Sequence, residues 1–121
     1  MEREILLERG GLQTNVKISA PAHSVPERIV LGIHGIGGSS QDAIQTGIAE
    51  EMSMFSCASV RFDLPCHGEN PTNTMSVAGC VESLVAVASW IRQNFPHVED
   101  LCIFASGFGA YITLVALEQL I

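Results

Sequence analysis

Apolar and polar positions alternate at the start of the chain and then give way to solid apolar runs. Ile5-Leu6-Leu7, then Gly10-Gly11, then Val16 and Ile18 predict two strands joined at a glycine turn. After the breaker at 21–26, Arg28-Ile29-Val30-Leu31-Gly32-Ile33-His34 is a continuous apolar run of the kind carried by a strand covered on both faces. It ends in Gly35-Ile36-Gly37-Gly38. Ser40 or Asp42 can cap a helix that reaches about residue 55, with Ile44, Ile48 and Met52 on one face. Cys57-Ala58-Ser59-Val60-Arg61-Phe62-Asp63 predicts another strand, and the Pro/Gly/Asn stretch after it a loop. Val77, Val81, Leu84, Val85, Ala88 and Ile91 form a broad stripe that predicts a long helix over 76–95, stopped by Pro96. Asp100-Leu101-Cys102-Ile103-Phe104-Ala105 predicts a fifth strand, 106–109 a tight glycine turn, and 110–121 a nearly all-apolar helix.

From Arg28 onward strands and helices alternate, which predicts one α/β domain over 1–121: a three-layer sandwich with a mostly parallel sheet behind an opening antiparallel hairpin. The last helix is apolar around most of its circumference, so it needs cover on more than one side. The expectation is that a longer parent or a second chain supplies it.

Composition narrows the function. The chain has 121 residues, 47% hydrophobic and 16% charged, with a formal net charge of −7. That charge argues against nucleic acid and anionic bilayers as partners. No apolar run approaches the roughly 20 residues of a membrane span, and Met1-Glu2-Arg3-Glu4 does not open a signal peptide, so a cytoplasmic setting is expected. The widely spaced Cys57, Cys66, Cys80 and Cys102 read as reduced thiols, with Cys57, Cys80 and Cys102 as small buried residues. A zinc site from Cys57, Cys66, His67 and Cys80 lacks the usual paired spacing, so no metal is expected. Residues 34–38 lack G-x-G-x-x-G spacing and no P-loop lysine follows, so no cofactor is expected either.

Three segments carry the candidate chemistry, each beginning where a predicted strand ends. They are Ile33-His34-Gly35-Ile36-Gly37-Gly38-Ser39, Phe62-Asp63-Leu64-Pro65-Cys66-His67-Gly68-Glu69-Asn70 and Phe104-Ala105-Ser106-Gly107-Phe108-Gly109-Ala110. In this order they resemble the amino-terminal half of an α/β-hydrolase-fold protein of the esterase, lipase and acyl-hydrolase branch. The first resembles the HGxGG oxyanion loop, the second the D-x-P-G-H-G-x-S loop with Cys66 and Asn70 in place of Gly and Ser, and the third the nucleophile elbow. The resemblance implies a small acyl substrate, oxyanion donors at the backbone amides of Ile36 and Phe108, and loop support from His34, Gly35, Gly37, Gly38, Asp63 and His67.

It departs from the family at the reacting atom. Aligned on Gly109, the elbow G-x-S-x-G becomes Ala105-Ser106-Gly107-Phe108-Gly109, so Gly107 stands at the nucleophile position. A register shifted by one promotes Ser106 instead but leaves Phe104 and Phe108 at the two glycine positions. After Gly107 the chain offers one acid, Glu118, and no histidine. His34 and His67 therefore read as loop braces, and His23 and His97 as loop residues. Cys66 falls at the same sheet edge without an identifiable base. The expectation is a hydrolase-like chain inactive by itself. The alternative is a non-catalytic binding protein, completed by a second copy or a complementing chain along the edge of strand 101–105 and the final helix.

Overall fold

The computed structural model describes residues 2–21, 25–72 and 74–121, so His23 lies outside the described residues. Strands β1 (Glu2–Arg9) and β2 (Leu12–Ser19) form an antiparallel hairpin whose turn is made by Gly10 at φ 58° and Gly11 at φ 80°. Two consecutive positive φ values match the twist of the flanking strands, and glycine reaches them without strain. Strands β3 (Arg28–Ile33), β4 (Cys57–Phe62) and β5 (Asp100–Ala105) are mutually parallel, and β2 runs antiparallel to β4. The resulting order is β1-β2-β4-β3-β5. β1 and β5 are the edges.

The two faces of this sheet differ because side chains alternate along each strand. On one face Val16, Ile18, Ile29, Leu31, Ile33, Ala58, Val60 and Phe62 form the apolar core under helices α2 (Val77–Asn94) and α3 (Phe108–Val115). Inside it, the Thr14 hydroxyl donates to the Ser83 hydroxyl at 3.2 Å, tying β2 to α2. The opposite face presents Lys17 and Arg61 on paired positions of β2 and β4, both buried. Helix α1 (Ala43–Ser53) covers it. Sheet and helices make three layers.

α1 turns a different side inward from the one its apolar spacing predicts. Gln45 and Ala49 are buried, while Ile44 is 56% exposed and Ile48 and Met52 lie only partly covered. The cause is local: Gly32 has no side chain, and the Gln45 carboxamide occupies the space beside it and Arg61. Asp42 holds the position before α1 but makes no side-chain cap bond, its carboxylate lying against Gly38 instead. α2 buries its predicted stripe from Val81 to Ile91, while Val77, in the first turn beyond the sheet's cover, is exposed; Ser76 caps the helix by accepting the Gly79 amide at 2.9 Å.

The chain's last segment is two helices, α3 and α4 (Leu117–Leu120), separated at Ala116. Gly109, Ile112, Ala116 and Leu120 face inward, and the Arg92 guanidinium of α2 donates to the Leu120 carbonyl. Tyr111, Leu114, Val115, Leu117 and Ile121 are exposed, so the second side is uncovered among the described residues. A cavity of about 330 Å³ beside them is lined by Ile91, Phe95, Leu101, Ile103 and Leu120. Cys57 and Cys80 are buried, whereas Cys102 is exposed. Its neighbours Leu101 and Ile103 point to the α2 and α3 face, so Cys102 points to the other, where α1 reaches β3 and β4. No described helix is long and apolar enough to cross a membrane.

Candidate active site

The three predicted segments meet at the carboxyl ends of β3, β4 and β5, the edge where open α/β sheets bind ligands. β5 passes into α3 through Ser106 and Gly107. Gly107 adopts φ 50° and ψ −116° and directly precedes the first residue of α3. An L side chain is strained there, yet a β-carbon on Gly107 would meet nothing within 4 Å. At Gly109 the constraint is the opposite, because a β-carbon would stand 2.5 Å from the His34 carbonyl oxygen and 2.6 Å from that of Ile33. Glycine at 109 lets α3 lie directly on the end of β3.

Ser106 is held by its backbone, with its amide donating to Ile33 O at 3.1 Å and its carbonyl accepting from Gly109 N at 2.8 Å. Its hydroxyl has no protein partner among the described residues. The loop after β3 packs against this turn, since a β-carbon on Gly35 would lie 3.3 Å from Ser106 O and 4.0 Å from Phe108 N. Gly37 takes φ 78°, and Gly38 closes the turn by donating its amide to Gly35 O at 3.1 Å. Among the described residues the amides of Ile36 and Phe108 donate to no protein acceptor. Phe108 is the first residue of α3, where the helix has no carbonyl to offer it.

Asp63, the first residue after β4, is the hub of the two loops. It is buried; Oδ1 accepts Ser40 N at 2.7 Å, Oδ2 accepts Glu69 N at 3.1 Å, and its carbonyl accepts from Asn70 Nδ2 at 2.7 Å. A β-carbon on Gly68, at φ 52°, would run into the Asp63 carboxylate. Charge balance comes from Lys17, whose ammonium is 3.7 Å from Asp63 Oδ2, 3.1 Å from Glu69 Oε1 and 3.4 Å from Glu4 Oε1. Burial acts to lower the pKa of Lys17, but the Glu69 hydrogen bond and the Asp63 and Glu69 charges outweigh it and hold the value above 10.5. The sequence reading missed Lys17. Its place between Val16 and Ile18 put it on the opposite sheet face, but nothing local told that this face is covered there.

The two histidines occupy reciprocal positions. His34 Nε2 accepts Leu64 N at 3.0 Å, and His67 Nε2 accepts Gly37 N at 2.9 Å. Each Nδ1 then carries the proton, donating to Gly35 O at 2.7 Å in His34 and to Pro65 O at 2.9 Å in His67. With both ring nitrogens engaged, neither histidine offers a free general base. Burial pushes the His34 imidazole below its ordinary 6.5, favouring the neutral ring.

Cys66 is exposed at φ 67°, in the left-handed region that favours glycine. Asn70, in place of serine, accepts Thr72 N at 2.8 Å and so closes its own turn. His97 lies beside Phe95 and lines a cavity with Arg28 and Asp100, at the amino ends of β3 and β5, away from the site. Among the described residues no three His, Cys, Asp or Glu side chains are grouped to hold a metal ion.

No family model and no curated protein matches the chain. Solved structures do. An α/β serine hydrolase without a lid from Xanthomonas campestris superposes with a TM-score of 0.84 at 24% identity, covering 98% of this chain and 56% of that one. Est1E from Butyrivibrio proteoclasticus, solved with ferulic acid bound, gives 0.85 at 18% identity over 95% and 48%. An α/β serine hydrolase homologue from Coxiella burnetii gives 0.80 at 23% over 97% and 58%. The chain thus spans about half the length of the structures it resembles, and over that span it has the α/β-hydrolase fold.

Proposed function

We propose that this chain is a hydrolase-fold scaffold that receives carboxylic esters or related acyl compounds at its elbow but does not attack them. Gly107 carries the reading: it has the backbone conformation of a strained strand-to-helix elbow and no side-chain oxygen. The unpaired amides of Ile36 and Phe108 supply donors for a carbonyl or carboxylate oxygen. Attack requires a nucleophile and a base to take its proton. The chain provides no hydroxyl at 107, and both loop histidines are already committed at both nitrogens.

Hydrolysis of p-nitrophenyl acetate and butyrate tests the chemistry. The chain and its Gly107→Ser variant are both expected to match buffer, because the variant gains a hydroxyl without a base. Turnover above buffer that is lost in Ser106→Ala, or on alkylation of Cys66, overturns the assignment of Gly107. Titration with butyrate tests the binding. Amide shifts at Ile36 and Phe108 are expected, and their absence overturns the acyl-receiving role.

A second reading, an interaction protein on the same scaffold, is favoured by the exposed Tyr111, Leu114, Val115 and Leu117 and by β5 being paired on one side only. It predicts assembly through the β5 edge and the α3 and α4 face. A monodisperse, cooperatively folding monomer by light scattering contradicts it.

A further inference from the structure

The loops after β3 and β4 are joined by an exchange of hydrogen bonds that the acyl-receiving role does not use. His34 of the first loop accepts the Leu64 amide of the second at 3.0 Å, and His67 of the second accepts the Gly37 amide of the first at 2.9 Å. The ring centroids are 5.0 Å apart. A backbone N–H only donates, so both bonds exist solely while each Nε2 is unprotonated. Proton uptake at Nε2 sets donor against donor, breaks the bond and leaves an amide unpaired. Two charged rings at this separation also repel each other.

We propose that His34 and His67 form a proton-operated latch, which holds the 35–38 turn against the 64–68 turn at neutral pH and releases it on acidification. The surrounding charges are few. Asp63 at the end of β4 and Asp42 before α1 favour a charged His34, while burial and His67 oppose it. Lys17 of β2, paired with Asp63 and Glu69, offsets the acidic side. The elbow, 105–110, has no titratable side chain. Burial prevails at His34, so the latch is closed when the ring is in its favoured neutral form. The latch does not depend on the acyl reading, since it concerns the loops whether or not a ligand enters them.

Amide NMR on the full chain tests it. Long-range nitrogen correlations at about pH 7.5 should find both rings as the Nδ1–H tautomer. As the pH is lowered from about 7.5 until both rings carry a second proton, exchange protection at Gly37 and Leu64, corrected for intrinsic rates, should fall about tenfold, the scale of one lost hydrogen bond. Protection at Val30 and Val60 should hold. In His67→Gln, whose side-chain oxygen accepts but takes up no proton, the Gly37 response should vanish while that of Leu64 remains. An Nε2–H tautomer on either ring, or constant protection at Gly37 and Leu64 through the rings' own titration, overturns the latch. A parallel loss at Val30 and Val60 means global acid unfolding and overturns it equally. The unsubstituted chain decides the matter even where the variant does not fold.

Discussion

The turn after β5 and the paired loops after β3 and β4 meet at one sheet edge but keep their shapes by different means. The elbow uses backbone alone: Gly107 accepts the unusual dihedrals, and Gly109 allows α3 to touch the Ile33 and His34 carbonyls. The loops use buried side chains, with Asp63 binding Ser40 and Glu69, Lys17 balancing its charge, and two histidines crossing between loops. A shape held by glycine does not depend on any reactive side chain, because none takes part in holding it. A shape held by buried charge is stable only while every partner is present and correctly protonated.

The sharpest way to break this comparison is Asp63→Ala. It leaves the Ser40 and Glu69 amides without their acceptor and takes from the buried Lys17 one of its three carboxylates, and urea unfolding should register a loss of about 3–5 kcal/mol. A loss near zero would mean that the loops, too, are held by backbone. Gly109→Ala should cost about 1–3 kcal/mol, since its β-carbon would meet two carbonyl oxygens within 2.6 Å and α3 must retreat. Gly107→Ser should cost only about 1–2 kcal/mol, all of it from the positive φ, because the space around the new side chain is open. If Gly107→Ser proves more damaging than Gly109→Ala, the elbow is governed by dihedral strain rather than contact.

Two smaller effects sharpen the contrast. Cys66→Gly relieves a φ of 67° in the loop and should stabilise the protein by up to about 1 kcal/mol, part of the gain being offset by the greater freedom of glycine in the unfolded chain. Acidity should act on the loops alone. His34 has a lowered folded-state pKa, so the unfolded chain binds the extra proton first. Its stabilising contribution is complete above about 6.5 and is lost as the pH falls from there through the folded value. Lys17 has a raised pKa, so its contribution is complete below 10.5 and is lost as the pH rises through the folded value. Urea midpoints across that range should form a plateau bounded by these two groups.

Much of the fold was legible along the chain. The glycine turn of the hairpin, the strand from Arg28, most of the α2 stripe and the strand from Asp100 show in the residue order because hydrophobic spacing reports which side of an element is apolar, wherever in the chain its partner lies. Three features escaped it. The inward side of α1 follows Gln45 because a glycine on a neighbouring strand left room there. Cys102 is exposed because α1 covers the middle of the sheet and not the edge strand. The final segment divides at Ala116, with only one of its apolar sides covered.

For the candidate site the boundary runs the same way. That a glycine stands at 107, where the resemblance puts a serine, and that no histidine follows it in the sequence given, are matters of residue order, which the chain carries whether folded or not. That Lys17 sits 3.7 Å from Asp63, and that two histidines 33 positions apart take each other's loop amides, depend on β2, β3 and β4 lying side by side in the sheet. Local sequence determines which groups are present and the conformations they can adopt. Only the tertiary structure brings distant groups out of water together, and burial is what turns an ordinary lysine, aspartate and histidine pair into the frame of a site.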